Sequence, residues 1–419
     1  MRNSRPSTIQ RPTLLCTIDM SGVLEFVRRH REWRSECINL IASENVTSEA
    51  VRQLLASDFG HRYTLPLNMD LHGVFVENAY RGTKYVDEVE SYGEDLAKEI
   101  FECGFSSLKP LSGHISSMLM LLSCCRKGET ILTVSPEDGG YDGYASENVP
   151  QMLDMKCEYL PFDGAAANID YGMAADKIRD VSPSIVVVGT SFLLFPYDLR
   201  RLRDACSDVG ASLGYDASHV LGLIAGGEFQ SPFEDGVDVV IGSTHKSFFG
   251  PQGGIFLTND EGIFEEAKKN ITWRVLDNAH WNRIAALALA LEEMKKFGKE
   301  YAQKCVRNAS VLAKQLHESG VPVRYESEGF TRSSQVLLDS SRIEEELGTR
   351  INDLAIRLEE SNIIIDAVGR MGVNEITRLG ADEAHVADLA SLISRCISGE
   401  NVLAEAKKLR EGLSIQYCF

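Results

Sequence analysis

The segment that most limits the fold of this chain is the apolar run Val237-Asp238-Val239-Val240-Ile241, followed by Ser243-Thr244-His245-Lys246 and then Phe248-Phe249-Gly250-Pro251-Gln252-Gly253-Gly254. A short apolar run bounded by turn residues reads as a buried strand. Small hydroxyl residues, a histidine, one lysine and a glycine-rich turn after it set a single amine at the mouth of a sheet. Burial and nearby positive charge favour the neutral form of such an amine, which then attacks an aldehyde carbon. Taken alone, a lysine after a strand is more often a surface residue, so the argument needs a second signal.

That signal is Leu213-Gly214-Tyr215-Asp216-Ala217-Ser218-His219, a short strand ending in an aspartate with a histidine three positions on. Ligand sites in open α/β sheets lie at the carboxyl ends of the strands, so Asp216 and Lys246 can meet at one ligand. An ionised carboxylate there would keep a pyridine nitrogen protonated, the electronic tuning that pyridoxal phosphate requires. In isolation Asp216 would read as a turn or cap residue and His219 as a core histidine.

Elements alternate along the chain as a mainly parallel sheet requires. Residues 112–125 and 199–209 read as helices, and 130–134 and 184–189 as strands. From 282 to 318 a long helical pattern leads towards a smaller carboxy-terminal region. There, strands at 334–338 and 363–365 alternate with helices near 349–360 and 383–397. The expected division is an arm over 1–46, a large cofactor domain over 47–290 and a small domain over 291–419.

Composition excludes more than it identifies. A chain of 419 residues that is 44% hydrophobic can bury a large core, and its net charge of −18 argues against a nucleic-acid partner. The ten cysteines lack the paired spacing of zinc sites, so no metal is expected and they read as reduced thiols of a cytoplasmic protein. No run reaches the ~20 apolar residues of a membrane span. Residues 1–15 are polar and basic without a signal peptide's apolar segment, and are expected to form a loose tail.

Asp216-x-x-His219, Thr244-His245-Lys246 and Gly250-Pro251-x-Gly253-Gly254, in this order, resemble the serine hydroxymethyltransferase family of fold-type I pyridoxal phosphate enzymes. Asn39-Leu40-Ile41-Ala42-Ser43-Glu44-Asn45, Lys84 to Glu90, Pro110-Leu111-Ser112-Gly113 and Gly369-Arg370-Met371-Gly372 agree with it, so the resemblance runs from about 39 to about 380. It implies an α/β fold with a mainly parallel seven-stranded sheet, helices on both faces and a small α+β domain. It implies Lys246 as the cofactor amine, Asp216 at the ring nitrogen, and His219, His245 and Gly254 in the surrounding shell. Ser112, Gly113 and His114 fall at the phosphate turn, where a helix start suits an anion. Tyr141 falls where the ring is stacked, and Ser191 near the ring hydroxyl. Arg370 and Ser43 are implied as carboxylate contacts, with Arg378 as the competing arginine; a guanidinium grips a carboxylate by two parallel bonds. Tyr63 (at the cofactor) and Tyr80 (at the substrate) are expected to reach across a homodimer, or a dimer of dimers.

The chain also departs from the family pattern. His114 replaces a small polar residue and Tyr141 a histidine. The family's Tyr-x-Glu-Gly-Tyr-Pro segment, which supplies a catalytic glutamate and an aromatic contact for folate, is here Arg62-Tyr63-Thr64-Leu65-Pro66-Leu67-Asn68-Met69-Asp70-Leu71-His72. No glutamate follows Tyr63 two residues later, and Asp70, His72 and Glu77 are alternative acids. The turn that meets folate is rewritten as Pro136-Glu137-Asp138-Gly139-Gly140-Tyr141-Asp142. The resemblance therefore implies aldol or retro-aldol chemistry at Cα of an amino acid, using an aldehyde or one-carbon acceptor with little dependence on folate. Hydroxymethyltransferase, threonine-type aldolase and transaldolase all fit. Transamination, racemisation or decarboxylation on the same scaffold is the alternative, and a non-catalytic paralogue is disfavoured because Lys246, Asp216 and Arg370 are all present.

Overall fold

The computed structural model describes residues 22–419, the side chains of 66–69 and 71 excepted. The tail expected over 1–15 lies outside the described residues.

Among them, seven strands form the main sheet: β1 (Phe105–Ser107), β2 (Thr130–Thr133), β3 (Lys156–Tyr159), β4 (Ile185–Val188), β5 (Ser212–Asp216), β6 (Val239–Ser243) and β7 (Gly254–Thr258), in the order β1-β7-β6-β5-β4-β2-β3. Only β7 runs against its neighbours, pairing antiparallel with both β6 and β1. Ile185 to Val188 are wholly buried, which explains why β4 is an unbroken β-branched run: a central parallel strand is covered on both faces.

The helices follow from their caps and apolar faces. Ser112 accepts from Ile115 N–H at the start of α1 (Gly113–Cys124), and Asp198 accepts from Arg201 N–H at the start of α2 (Leu199–Val209). Losing such a cap costs about 1 kcal/mol. In α2 the buried residues are Leu199, Leu202, Ala205 and Cys206, one face of a 3.6-residue period, and the helix stops at Gly210 with φ 72°.

The longest helix, α3 (Trp281–Glu318), has 38 residues. Its first half packs into the core built on the sheet, through Ile284, Leu287 and Leu291. Its second half packs into another core, through Ala309, Leu312 and Leu316 with Ile343, Leu358 and Ile393. Ile38 and Leu40 join that second core, because Ile38–Asn39 pairs in parallel with Ile363–Ile364. Near its middle α3 crosses the turn after Leu221–Ala225 at a glycine pair: a Cβ on Gly226 would lie 2.5 Å from the Gly298 carbonyl oxygen. A short ladder, Gln335–Leu337 against Arg370–Gly372, completes the second unit.

Candidate active site

The carboxyl ends of β4, β5 and β6 and the start of α1 converge on one cavity, lined by Gly113, His114, Ser117, Tyr141, Gly189, Thr190, Ser191, Asp216, Ser218, His219, Ser243 and Lys246. Sequence reasoning had picked out Gly113, His114, Tyr141, Ser191, Asp216, His219 and Lys246, and the fold brings these together.

Asp216 ends β5, buried to 9% exposure. Among the described residues its oxygens accept from neutral groups, Ser218 N–H at 3.1 Å, the Tyr144 hydroxyl at 3.2 Å and the Ser117 hydroxyl at 3.5 Å. A buried carboxylate with neutral donors retains its full appetite for a cationic N–H. Beside it, Lys246 Nζ lies 3.3 Å from His219 Nε2. Burial, outweighing the pull of Asp216, lowers the Lys246 pKa below the usual ammonium range, and Arg370 adds to this. His219 is pushed well below the ordinary imidazole value by burial and by the Lys246, Arg370 and His245 charges. His245 falls to about 4, chiefly through burial, and its Nδ1 is buried without a hydrogen-bond partner.

Glycines make room where chain meets chain. A Cβ on Gly113 would lie 2.2 Å from Ser243 Oγ, and one on Gly140 would lie 2.1 Å from the Val134 carbonyl oxygen. The Gly139-Gly140 turn can thus fold against the end of β4, where Gly140 bridges Thr190 and Ser191 N–H donates to Gly139 O at 2.7 Å. This turn hangs Tyr141 over the cavity, where its hydroxyl meets His114 Nδ1.

The other expected residues are not part of the cavity lining. Ser112 caps α1, and Gly254 permits β7 to approach it, since a Cβ there would sit 2.3 Å from Ser112 O. Arg370 donates from Nη1 to Ser191 O at 2.8 Å and from Nε to Asp366 at 2.8 Å, which places its guanidinium at the cavity's edge. Ser43 follows Ala42, whose Cα would touch a Cβ on Gly372 at 2.5 Å, so the amino-terminal signature lies along the Arg370 strand. Asn45 of that signature donates to Lys246 O at 2.8 Å and holds the lysine loop. Arg378 is elsewhere: it is fully buried, paired to Glu293 at 2.7 Å and stacked on Phe249. Tyr63 and Tyr80 pack on each other with ring centroids 5.0 Å apart, and Tyr63 bonds Asp277. Asp70, His72 and Glu77 lie on an exposed hairpin, Pro66–Leu71 with Val74–Asn78, where Asp70 accepts from Gly73 N–H to close the turn.

Ser117, Tyr144, Thr190, Ser218 and Ser243 were missed by the sequence reading. Ser117 was findable as the residue one helical turn after Gly113, and Ser218 and Ser243 as hydroxyls inside the two motifs already singled out.

A family description named serine hydroxymethyltransferase matches residues 17–393 of this chain. The chain belongs to the serine hydroxymethyltransferase family. It is 39% identical to the serine hydroxymethyltransferase of Korarchaeum cryptofilum, over 95% of this chain and 96% of that protein. It is 38% identical to the same enzyme of Methanopyrus kandleri, over 95% and 94%. Among solved structures, the L-threonine transaldolase of Pseudomonas fluorescens, in its internal aldimine state, is similar with a TM-score of 0.85 and 26% identity, over 95% of this chain and 93% of that one. The chain is thus a fold-type I, pyridoxal phosphate-dependent enzyme of aldol and retro-aldol chemistry on amino acids. Enzymes of this family use amino-acid substrates and are typically oligomeric. No helix among the described residues is long and apolar enough to cross a membrane.

The residues present fit the cofactor. Asp216 offers a buried carboxylate hydrogen-bonded to neutral donors among the described residues, Lys246 an amine whose pKa burial lowers, and the Gly113 end of α1 a turn with no room for a side chain.

Proposed function

We propose that this enzyme makes or breaks the Cα–Cβ bond of a β-hydroxy amino acid with an aldehyde as the second partner, and that it does so with little need of folate. The observation that carries this is the exposed hairpin Pro66–Leu71 with Val74–Asn78, which follows Tyr63 in place of the family's glutamate-bearing segment. The described cavity keeps the groups that serve the cofactor. The transaldolase named above, a fold relative of high structural similarity, supports an aldehyde as the acceptor.

In this reading Lys246 is the residue that would hold the cofactor, through its amine. Asp216 keeps the ring nitrogen protonated, while Ser117, Tyr144 and Ser218 fix that carboxylate in place. Bound pyridoxal phosphate supplies an electron-poor ring that takes up the electron pair left at Cα when the bond to Cβ breaks. Gly113 and His114, at the capped start of α1, would hold the phosphate, and Tyr141 would stack on the ring; burial raises the Tyr141 pKa, so it stays a neutral phenol. Arg370, oriented by Asp366 and Ser191 O, grips the substrate carboxylate together with Ser43.

The proposal includes a homodimer, or a dimer of dimers, in which Tyr63 and Tyr80 serve the partner's site. It includes an arm over 1–46, a large domain over 47–290 and a small domain over 291–419; the two cores share no residue, although Met294 to Cys305 pack with the first of them. It places the protein in the cytoplasm, supported by described cysteines that are free thiols.

The test compares serine cleavage with and without tetrahydrofolate against cleavage of threonine, allo-threonine and phenylserine without it. Folate-independent cleavage of the bulkier substrates supports the proposal. Strong folate stimulation with serine preferred overturns it.

A further inference from the structure

Gln335 has no part in the chemistry described so far, yet its amide ends at His219, the histidine bonded to Lys246 among the described residues. Gln335 Nε2 lies 2.9 Å from His219 Nδ1, and the opposite ring nitrogen lies 3.3 Å from Lys246 Nζ. The glutamine is 1% exposed and the histidine 7%, so amide and imidazole form a buried chain that ends at the half-buried Lys246 on the cavity wall. Gln335 comes from the second unit of the molecule, where it pairs with Gly372 on the strand that carries Arg370. Its backbone is fixed by Ser333, whose hydroxyl accepts from Gln335 N–H at 3.2 Å.

We propose that Gln335 is a positioning residue that selects the tautomer of His219, so that an N–H rather than a lone pair is presented to Lys246. A neutral imidazole has one donor and one acceptor nitrogen. With the amide N–H pointed at Nδ1, that nitrogen must accept, so the proton sits on Nε2 and faces Nζ. An ammonium has no lone pair to receive it, and an imidazolium has none to receive the amide. One side-chain orientation therefore disfavours both the charged lysine and the charged histidine. Of the charges that face this chain, Arg370 acts on both groups and His245 on His219, each opposing protonation as Gln335 does, while Asp216 acts on Lys246 and favours it.

Gln335 Oε1 is buried with no hydrogen-bond partner among the described residues. Turning the amide over would set Oε1 against Nδ1, move the ring proton to Nδ1 and aim the Nε2 lone pair at Lys246, where an ammonium could donate. The orientation of one buried amide and the protonation of the cofactor amine are thus a single choice. A buried glutamine that merely filled space would carry no such linkage.

This inference rests on Lys246 being the cofactor amine, and the experiment separates the two claims. In the full-length chain freed of cofactor and labelled with nitrogen-15 at histidine, proton–nitrogen correlation spectra report the His219 tautomer, assigned by its loss in His219→Asn. The pH midpoint of Lys246 acetylation is read on the same preparations by peptide mass spectrometry. The wild type is expected to carry the proton on Nε2. Gln335→Glu, whose carboxylate can only accept from a neighbouring N–H, is expected to move it to Nδ1 or to form the imidazolium, and to raise the Lys246 midpoint by about one pH unit or more. Gln335→Met, of similar length without the amide, is expected to give mixed tautomers, and serves if the glutamate variant fails to fold. An Nε2 proton retained in both variants, or in the methionine variant alone if only it folds, with an unmoved Lys246 midpoint would overturn the proposal. Borohydride fixation of the cofactor to a different lysine would remove the assigned role of Lys246, yet the histidine spectra would still decide what Gln335 does.

Discussion

His114 Nδ1 lies 2.9 Å from the Tyr141 hydroxyl, so the two cavity residues that depart from the family pattern are bonded to each other. The exchange of a small polar residue for histidine and of a histidine for tyrosine is one change, made by a pair. A double-mutant cycle on cofactor affinity tests this. His114→Ser and Tyr141→Phe should each weaken binding of pyridoxal phosphate to the cofactor-free protein. Their coupling should be about 0.5–1.5 kcal/mol at most, the net worth of one intramolecular hydrogen bond. Additive effects would show that the two residues act apart.

Lys246 should be the residue to which borohydride fixes the cofactor. The purified protein is expected to be yellow, and peptide mapping should place the label on the Lys246 peptide. A Lys246→Ala protein with full turnover would refute the assignment.

Arg370 should be needed for the substrate and dispensable for the cofactor. Arg370→Ala is expected to keep the cofactor spectrum but lose its response to amino acids, a cost of about 2–5 kcal/mol when a carboxylate is left buried and unpaired. Lysine should rescue poorly, because it restores charge without the fork. Asp366→Asn, which frees the Nε side of the same guanidinium, should raise KM for the amino acid several-fold with little change in cofactor affinity. Loss of cofactor in Arg370→Ala would reverse this assignment.

The sheet and most of its ligand-facing ends were legible in the sequence because strand, turn and reactive residue sit next to each other in the chain. Helix 199–209 was read to the residue, since Asp198 and Gly210 mark its ends chemically. Gln335 was illegible: it meets His219 across 116 positions, and a glutamine in an apolar strand carries no local signal. Arg378 was the opposite case. Its proximity to Arg370 in sequence suggested a ligand contact, while the fold sends it into a fully buried pair with Glu293.

That pair sets a stability prediction. Glu293→Ala strands the Arg378 guanidinium in the core and should cost about 3–5 kcal/mol, read as a lower urea midpoint. The combined Glu293→Leu and Arg378→Met change should recover much of the loss, because no charge is then left alone. If the single change is silent, the pair is not the buried contact described.

The histidine shifts give a pH dependence. His245 has a pKa of about 4 in the fold against 6.5 for an ordinary imidazole, so below 6.5 the unfolded chain binds a proton that the folded one refuses. Its contribution to stability is full above that value and is lost as pH falls towards 4. His245→Gln should flatten the loss of thermal stability between these limits, measured by melting temperature against pH.

The single helix α3 also fixes how the two halves of the site are clocked. Its 38 residues span about 57 Å at 1.5 Å per residue. One end is sunk in the core under Lys246, and the other in the core that carries Gln335 and Arg370. Each residue added to or removed from an unbroken helix turns everything beyond it by about 100°. A single insertion between Val306 and Asn308, past the last residue packed on the first core and before the first of the second, would therefore leave both cores individually packable, yet swing the amide and the guanidinium out of phase with the amine. The length of this rod, counted in whole residues, is as much a requirement of the chemistry as any side chain in the cavity.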